Sequence, residues 1–219
     1  MQKEGLYDPS FEHSSCGVGF VVNVDGRRTH QIVSQGITIL KNLVHRGAVG
    51  GDSRTGDGAG MMTQMPHRFF TREAARLGFT LPAADSYGAA MLFLPTEEKK
   101  RKAAHALVQR VIAVEGGTLL GWRDVPVNPE LLGELAAGTM PHISQAFVTF
   151  GSLAGDALER RLYVTRKVIE SAASSEGFPL EELYVNSFSC RTVVYKGLFV
   201  APQFERFYPD LGEEDFESA

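Results

Sequence analysis

Cysteine and tryptophan are scarce in this chain, with two and one copies, and basic residues cluster only in the short EEKKRK at 97–102. Cys16 and Cys190 could in principle pair. Two cysteines in 219 residues are nevertheless not the dense framework of a small secreted domain, so reduced thiols are the default. A net charge of −4 supplies no broad positive field, which makes nucleic acid and membrane surfaces poor partners. No apolar run approaches the roughly 18 residues of a spanning helix. The opening MQKEGLYDPSFEHSS also lacks the uninterrupted apolar core of a secretory signal. These absences predict a cytoplasmic protein. The six histidines and two cysteines contain no HxxxH or CxxC pair, so no local metal-ligand pair is present.

What the chain has is apolar material. Hydrophobic residues make up 43% of it, enough to bury a substantial core. Alternating patterns predict one continuous α+β unit. A strand opens at Cys16 and runs to Val24, before a turn at Asp25-Gly26. A helix capped by Thr29 follows, apolar at 32, 33, 36, 37, 40, 43 and 44. The glycine-rich HRGAVGGDSRTGDGAG (45–60) forms a long shaped loop feeding a strand at MMTQM. Further helices are predicted at 66–78, at 97–115 with Thr96 as cap, at 129–138 and at 156–173. Strands are predicted at 87–94, 118–125 and 143–150, with a strand pair over 183–200. EEKKRK falls on the solvated face of its helix. The acidic, proline-bearing FYPDLGEEDFESA then runs to Ala219 without a closing element.

Two stretches invite a chemical reading. GDGAG at 56–60 is neither GxGxxG after a strand nor GxxxxGK[ST], so it reads as a loop entering a strand rather than a phosphate cradle. Cys190, in the alternation of SFSCRTVVYKG, reads as a buried apolar residue with no chemical role. Cys16 would read likewise but for one possibility. Cleavage between Ser15 and Cys16 would free an α-amine with a pKa near roughly 7.7–8.0, able to take the proton of the neighbouring thiol. One residue would then supply both nucleophile and base, and glycines at 17 and 19 would let a substrate approach closely.

LYDPSFEHSSCGVGF and the HRGAVGGDSRTGDGAG loop resemble the start of glutamate synthase large (α) chains, whose amino-terminal part is a class II glutamine amidotransferase domain. GWRDVPVNPELLGELA, MPHISQAFV, ERRLYVTRKVIE and VYKGL extend the resemblance over nearly the whole chain. It implies the four-layer αββα sandwich of the N-terminal nucleophile hydrolases. Residues 1–15 then match a propeptide, and residues 16–219 the amino-terminal portion of the amidotransferase domain. Cys16 matches the nucleophile that attacks glutamine, with Gly17, Arg46 and Gly47 close to it. Arg46 matches an arginine placed near the cysteine, either bonded to loop carbonyls or acting directly. No cofactor is implied for this chain. A complete glutamate synthase would carry FMN and an iron-sulfur cluster in its synthase region, which would be the rest of the large chain or a separate subunit.

Two family motifs do not occur in these residues: HQRFST-like, for the substrate carboxylate, and HNGEI-like, for the oxyanion hole. The resemblance therefore implies that the substrate-binding motifs lie beyond Ala219. Losing even one oxyanion donor costs on the order of 10²–10³ in rate. The expectation is an unprocessed and inactive portion of a glutaminase, incomplete on the side of Ala219, with exposed sheet edges that favour self-association. The alternatives are a non-catalytic assembly or glutamine-sensing module, and an amide hydrolase of the same superfamily with another substrate.

Overall fold

The computed structural model describes residues 16–219, so the propeptide-like lead-in expected over 1–15 lies outside the described residues. In chain order the regular elements are α1 (His30–Asn42), β1 (Ala59–Gln64), α2 (His67–Arg76), β2 (Gly88–Leu94), α3 (Glu98–Val114) and β3 (Thr118–Asp124). They continue with α4 (Glu134–Gly138), β4 (His142–Thr149), α5 (Gly155–Ser175), β5 (Tyr184–Ser189), β6 (Thr192–Gly197) and α6 (Phe204–Phe207). Most follow the predicted periodicities within a few residues. No helix is long and apolar enough to cross a membrane among the described residues.

The strands make two antiparallel sheets, one in the order β3-β4-β2-β5 and one of β1 with β6. Residue parity explains how the larger sheet carries two cores. Ala90, Leu92 and Leu94 of β2, with Ala146 and Val148 of β4, face Leu107, Val108 and Ile112 of α3 and Leu158, Leu162 and Ile169 of α5. On the other side Ala89, Met91 and Phe147 meet Val193 and Tyr195 of β6, Phe69 and Phe70 of α2, and Val33 and Ile37 of α1. Helices, sheet, smaller sheet and α1 thus follow one another, an α+β architecture consistent with an αββα sandwich. α1 lies close on β1, since a Cβ at Gly36 would stand 2.9 Å from the Met61 sulfur. The charged start of α3 faces solvent, as its sequence predicts.

Five local expectations are corrected. Residues 16–24 have strand composition but form no ladder. Among the described residues no strand pairs with them, and Val18, Phe20, Val22 and Val24 are exposed. The pair over 183–200 is two strands in different sheets: β5 pairs with β2, β6 pairs with β1, and the chain changes sheet at Cys190-Arg191. The helix at 129–138 is split into a 3₁₀ turn, Pro129–Leu131, and the short α4, while α3 is entered from Glu97 rather than Thr96.

The fifth correction is the largest. The acidic segment running to Ala219, expected to lack a closing element, closes a core. Phe204, Phe207, Tyr208, Leu211 and Phe216 are buried, while Glu213, Asp215 and Glu217 turn outward to pair with Arg72 and Arg68 of α2. Apolar residues drive the segment inward and its acids meet cations on the rim. Its last residues are tied to the entrance of α1: Thr29 N donates to Ser218 O at 2.9 Å and Ser218 N to Thr29 O at 3.2 Å. This bridge leaves Ser218 buried and Ala219 half-buried. The anchor of the segment is deeper. Arg123 of β3 grips Asp210 with both nitrogens at 2.7 and 2.8 Å, and donates to Glu73 Oε2 at 3.1 Å and Gln145 Oε1 at 3.0 Å. The Tyr195 hydroxyl donates to Asp210 at 2.8 Å. Burial alone would raise the Glu73 carboxyl, but hydrogen bonds from Arg76 and Arg123 hold it below its ordinary value.

Candidate active site

Cys16 is exposed and opens onto a cleft of ≈ 260 Å³. The end of α1 supplies Leu40 and Leu43, the 3₁₀ turn Val44–Arg46 supplies Arg46, and the loop beyond supplies Gly47 and Asp57. Phe199–Ala201 form the far wall. The sequence folds this way because Asn42 and Leu43 end α1 in a tightening turn, with Arg46 N donating to Leu43 O at 2.8 Å and Gly47 N to Val44 O at 3.2 Å. That turn points the Arg46 stem back toward the start of the described chain. A Cβ at Gly17 would stand 3.1 Å from Arg46 Cβ and 3.2 Å from Leu43 Cβ, so a glycine lets residue 16 lie against this turn.

The structure therefore brings Cys16, Gly17, Arg46 and Gly47 to one cleft. Ala219, beyond which the substrate-binding motifs are expected, is not among the residues lining it; the end of the chain lies instead beside Thr29, at the opposite end of α1 from Leu43. Sequence reasoning missed Asp57, whose carboxylate rests over Gly47, where a Cβ would stand 3.1 Å from Oδ1. The signal lay in GDGAG, which reads from sequence as a loop entering a strand. Neither Arg46 nor Asp57 has a side-chain hydrogen-bond partner among the described residues, and both are exposed. An accessible sulfur with a cation and an anion in the same small cleft can receive a polar, zwitterionic molecule and attack an electrophilic carbon in it.

The loop between them is a tongue with little regular structure. Val49 and Gly56 form an isolated bridge, Asp57 N donates to Ala48 O at 3.1 Å, and Gly50 N donates to Thr55 O at 2.6 Å. A Cβ at Gly56 would stand 2.5 Å from the Phe199 carbonyl, so this glycine lets the tongue lie on the far wall. Gly58 has φ +128°, a left-handed conformation that suits glycine, and β1 begins one residue later.

Cys190 is elsewhere. Its sulfur lies 3.1 Å from Glu159 Oε2, which also accepts Cys190 N at 2.8 Å, and burial with that carboxylate pushes the thiol up to about 12. Among the described residues no group of three or more His, Cys, Asp or Glu side chains is placed to hold a metal ion.

Comparison with known proteins places these features in a family. Residues 16–219 match the model of the class-II glutamine amidotransferases, and the match opens at Cys16. The chain is 42% identical over 218 residues to the glutamate synthase [NADPH] large chain of Bacillus subtilis, covering 99% of this chain and 14% of that protein. It is 40% identical to ferredoxin-dependent glutamate synthase 2 of Synechocystis, over 94% of this chain and 13% of that one. Against the glutamate synthase [NADPH] large chain of Azospirillum brasilense the identity is 38%, over 97% and 14%. The chain thus spans about one-seventh of the length of these relatives. With the family match covering every described residue and the cleft gathered where it begins, the chain belongs to the class-II glutamine amidotransferases.

Proposed function

We propose that this chain is the glutamine-hydrolysing part of a glutamate synthase, with Cys16 as its nucleophile. The observation that carries the reading is that the family match begins at residue 16 rather than at Met1, at an exposed cysteine lining a cleft with Arg46. Removal of residues 1–15 frees the Cys16 α-amine. That nitrogen takes the thiol proton, and the sulfur attacks the side-chain amide carbon of glutamine. The C–N bond breaks, ammonia leaves with the proton returned by the amine, and water hydrolyses the γ-glutamyl thioester to glutamate. Ammonia passes to a synthase region corresponding to the remaining length of the relatives, which is the partner this reading requires. Any flavin or iron-sulfur chemistry belongs to that partner.

The oxyanion donors of the family lie in motifs that residues up to Ala219 do not contain, so the 219-residue polypeptide alone is expected to turn over glutamine negligibly. The test is glutaminase turnover in the chain joined to its synthase partner, with intact mass to follow loss of residues 1–15. Cys16→Ala should abolish turnover, on the order of 10⁴-fold or more, without lowering the melting temperature. Unchanged turnover in that variant would end the proposal. A stable Met1 terminus with no turnover would favour a non-catalytic module.

A further inference from the structure

The tip of the tongue that borders the Cys16 cleft is fastened to another part of the molecule. Asp52 Oδ1 accepts Arg54 N at 3.1 Å and Thr55 N at 2.7 Å, while Oδ2 accepts the Thr55 hydroxyl at 2.6 Å, closing the tip on itself. This turn holds Ser53 at φ +56°, a left-handed conformation unusual for serine. The same two side chains then reach across to α4. Leu135 N donates to Asp52 Oδ2 at 3.2 Å and Ala136 N to Thr55 Oγ1 at 3.2 Å, so residues of the tongue satisfy amides that the first turn of a helix leaves open. Arg54 adds a bond to the Glu130 carbonyl. The contact is tight: a Cβ at Gly133 would stand 2.4 Å from both Asp52 Oδ2 and Thr55 Oγ1. The Thr55 hydroxyl and main-chain N–H hold the Asp52 carboxyl well below the usual carboxylate range, so it is an anion at any working pH.

Everything between this fastening and the cleft is glycine-rich, with Gly47, Gly50, Gly51, Gly56 and Gly58 in the tongue. Such a segment has little stiffness of its own, and Arg46 at its base is held by no side-chain bond among the described residues. The geometry points to Asp52 and Thr55 as positioning residues: by clamping the tongue to α4 they fix where Arg46 and Asp57 stand relative to the Cys16 sulfur. Misplacement of a charged group by about 1 Å can cost on the order of 10² in rate, so a clamp some residues away matters to chemistry. The inference deepens the reading of Cys16 as nucleophile and rests on it for its bearing on turnover. The placement itself can be measured without turnover.

The experiment compares alkylation of Cys16 by iodoacetate and by iodoacetamide in the 219-residue chain, followed by mass mapping of the modified peptide. A well-placed guanidinium favours the anionic reagent, so the ratio of the two rates reports Arg46. Arg46→Leu sets the baseline by lowering the ratio. Asp52→Asn keeps the acceptor facing the Arg54 and Thr55 amides but replaces the one that takes the Thr55 hydroxyl and the Leu135 amide, and should lower the ratio about 3-fold or more. Thr55→Val should act similarly and Thr55→Ser should restore the ratio, while Gly133→Ala should lower it from the α4 side with the tongue sequence intact. A ratio unchanged in Asp52→Asn, Thr55→Val and Gly133→Ala, while Arg46→Leu lowers it, overturns the clamp. No change in Arg46→Leu overturns it too, because the arginine then does not reach the sulfur. In the processed enzyme joined to its synthase partner, the clamp variants should lose kcat with KM little altered. A lowered alkylation ratio with no glutaminase activity in any form would leave the clamp standing and remove the nucleophile reading instead.

Discussion

Arg123, on β3, reaches Asp210, Glu73 and Gln145 in three other parts of the fold. It is 2% exposed and its charge cannot be shed, so it depends on Asp210, with Glu73 and Gln145 completing its donors. Removing one member of a buried pair strands the other. Asp210→Ala should therefore destabilise the fold by about 3–5 kcal/mol, read as a shift in the urea midpoint. The double replacement Arg123→Met with Asp210→Leu should recover part of that loss, because two apolar groups need no counter-charge, although the Tyr195 hydroxyl, Glu73 and Gln145 lose the partners they had. A second residue sets a pH response. His105 of α3 stacks on Trp122 of β3 with ring centroids 4.1 Å apart, and its buried Nε2 has no hydrogen-bond partner among the described residues. Burial lowers its pKa from the ordinary 6.5; Asp124 opposes this, while His142 and Arg101 add to it. The native state thus binds this proton less readily than the unfolded chain. The associated stability is fully present above pH 6.5 and is lost as pH falls from there through the depressed folded value. Trp122 is the only tryptophan, so its fluorescence during urea unfolding reports the loss directly, and His105→Phe should flatten it.

The elements divide into those whose cause is local and those whose cause is distant. α1, α2, α3 and α5 could be read from the spacing of their own apolar residues, and β2 from a continuous apolar run that suits a strand buried on both faces. Residues 16–24 show the opposite case. Alternation of β-branched residues is a strand preference, but a strand exists only where another backbone supplies its hydrogen bonds, and none of the described residues does. Hydrogen exchange should separate the two kinds: amides of 16–24 should exchange within seconds, while those of β2 and β4, each paired on both sides, stay protected for far longer. Equal protection would mean that this stretch finds a partner in solution. The segment ending at Ala219 was misread for a related reason. Its acids dominated the composition, whereas the outcome was set by aromatics whose cavity is built from α2, β3 and β6. At the site, the thiol, Gly17, Arg46 and Gly47 were legible because they stand in short contiguous motifs. The Asp52 and Thr55 clamp was not, since its other half is α4, some eighty residues on.

The assembled molecule has an uneven surface. Val18, Phe20, Val22, Val24 and Met62, the last 67% exposed, lie outward beside a smaller sheet that has two strands among the described residues. Unpaired strand edges next to apolar side chains favour association. Light scattering should show mass rising with concentration, and Phe20→Ser with Val24→Thr should hold the chain monomeric to several-fold higher concentration. A clean monomer in the unaltered chain at high concentration would contradict this. The pairing of Arg123 with Asp210 has a temporal side as well. The two residues are 87 positions apart, and translation at 5–20 residues per second separates their emergence by roughly 4–17 s. For those seconds a nascent guanidinium has only Glu73 as counter-ion and lacks its two-pronged partner, so the inner core can be completed only once the aspartate leaves the ribosome.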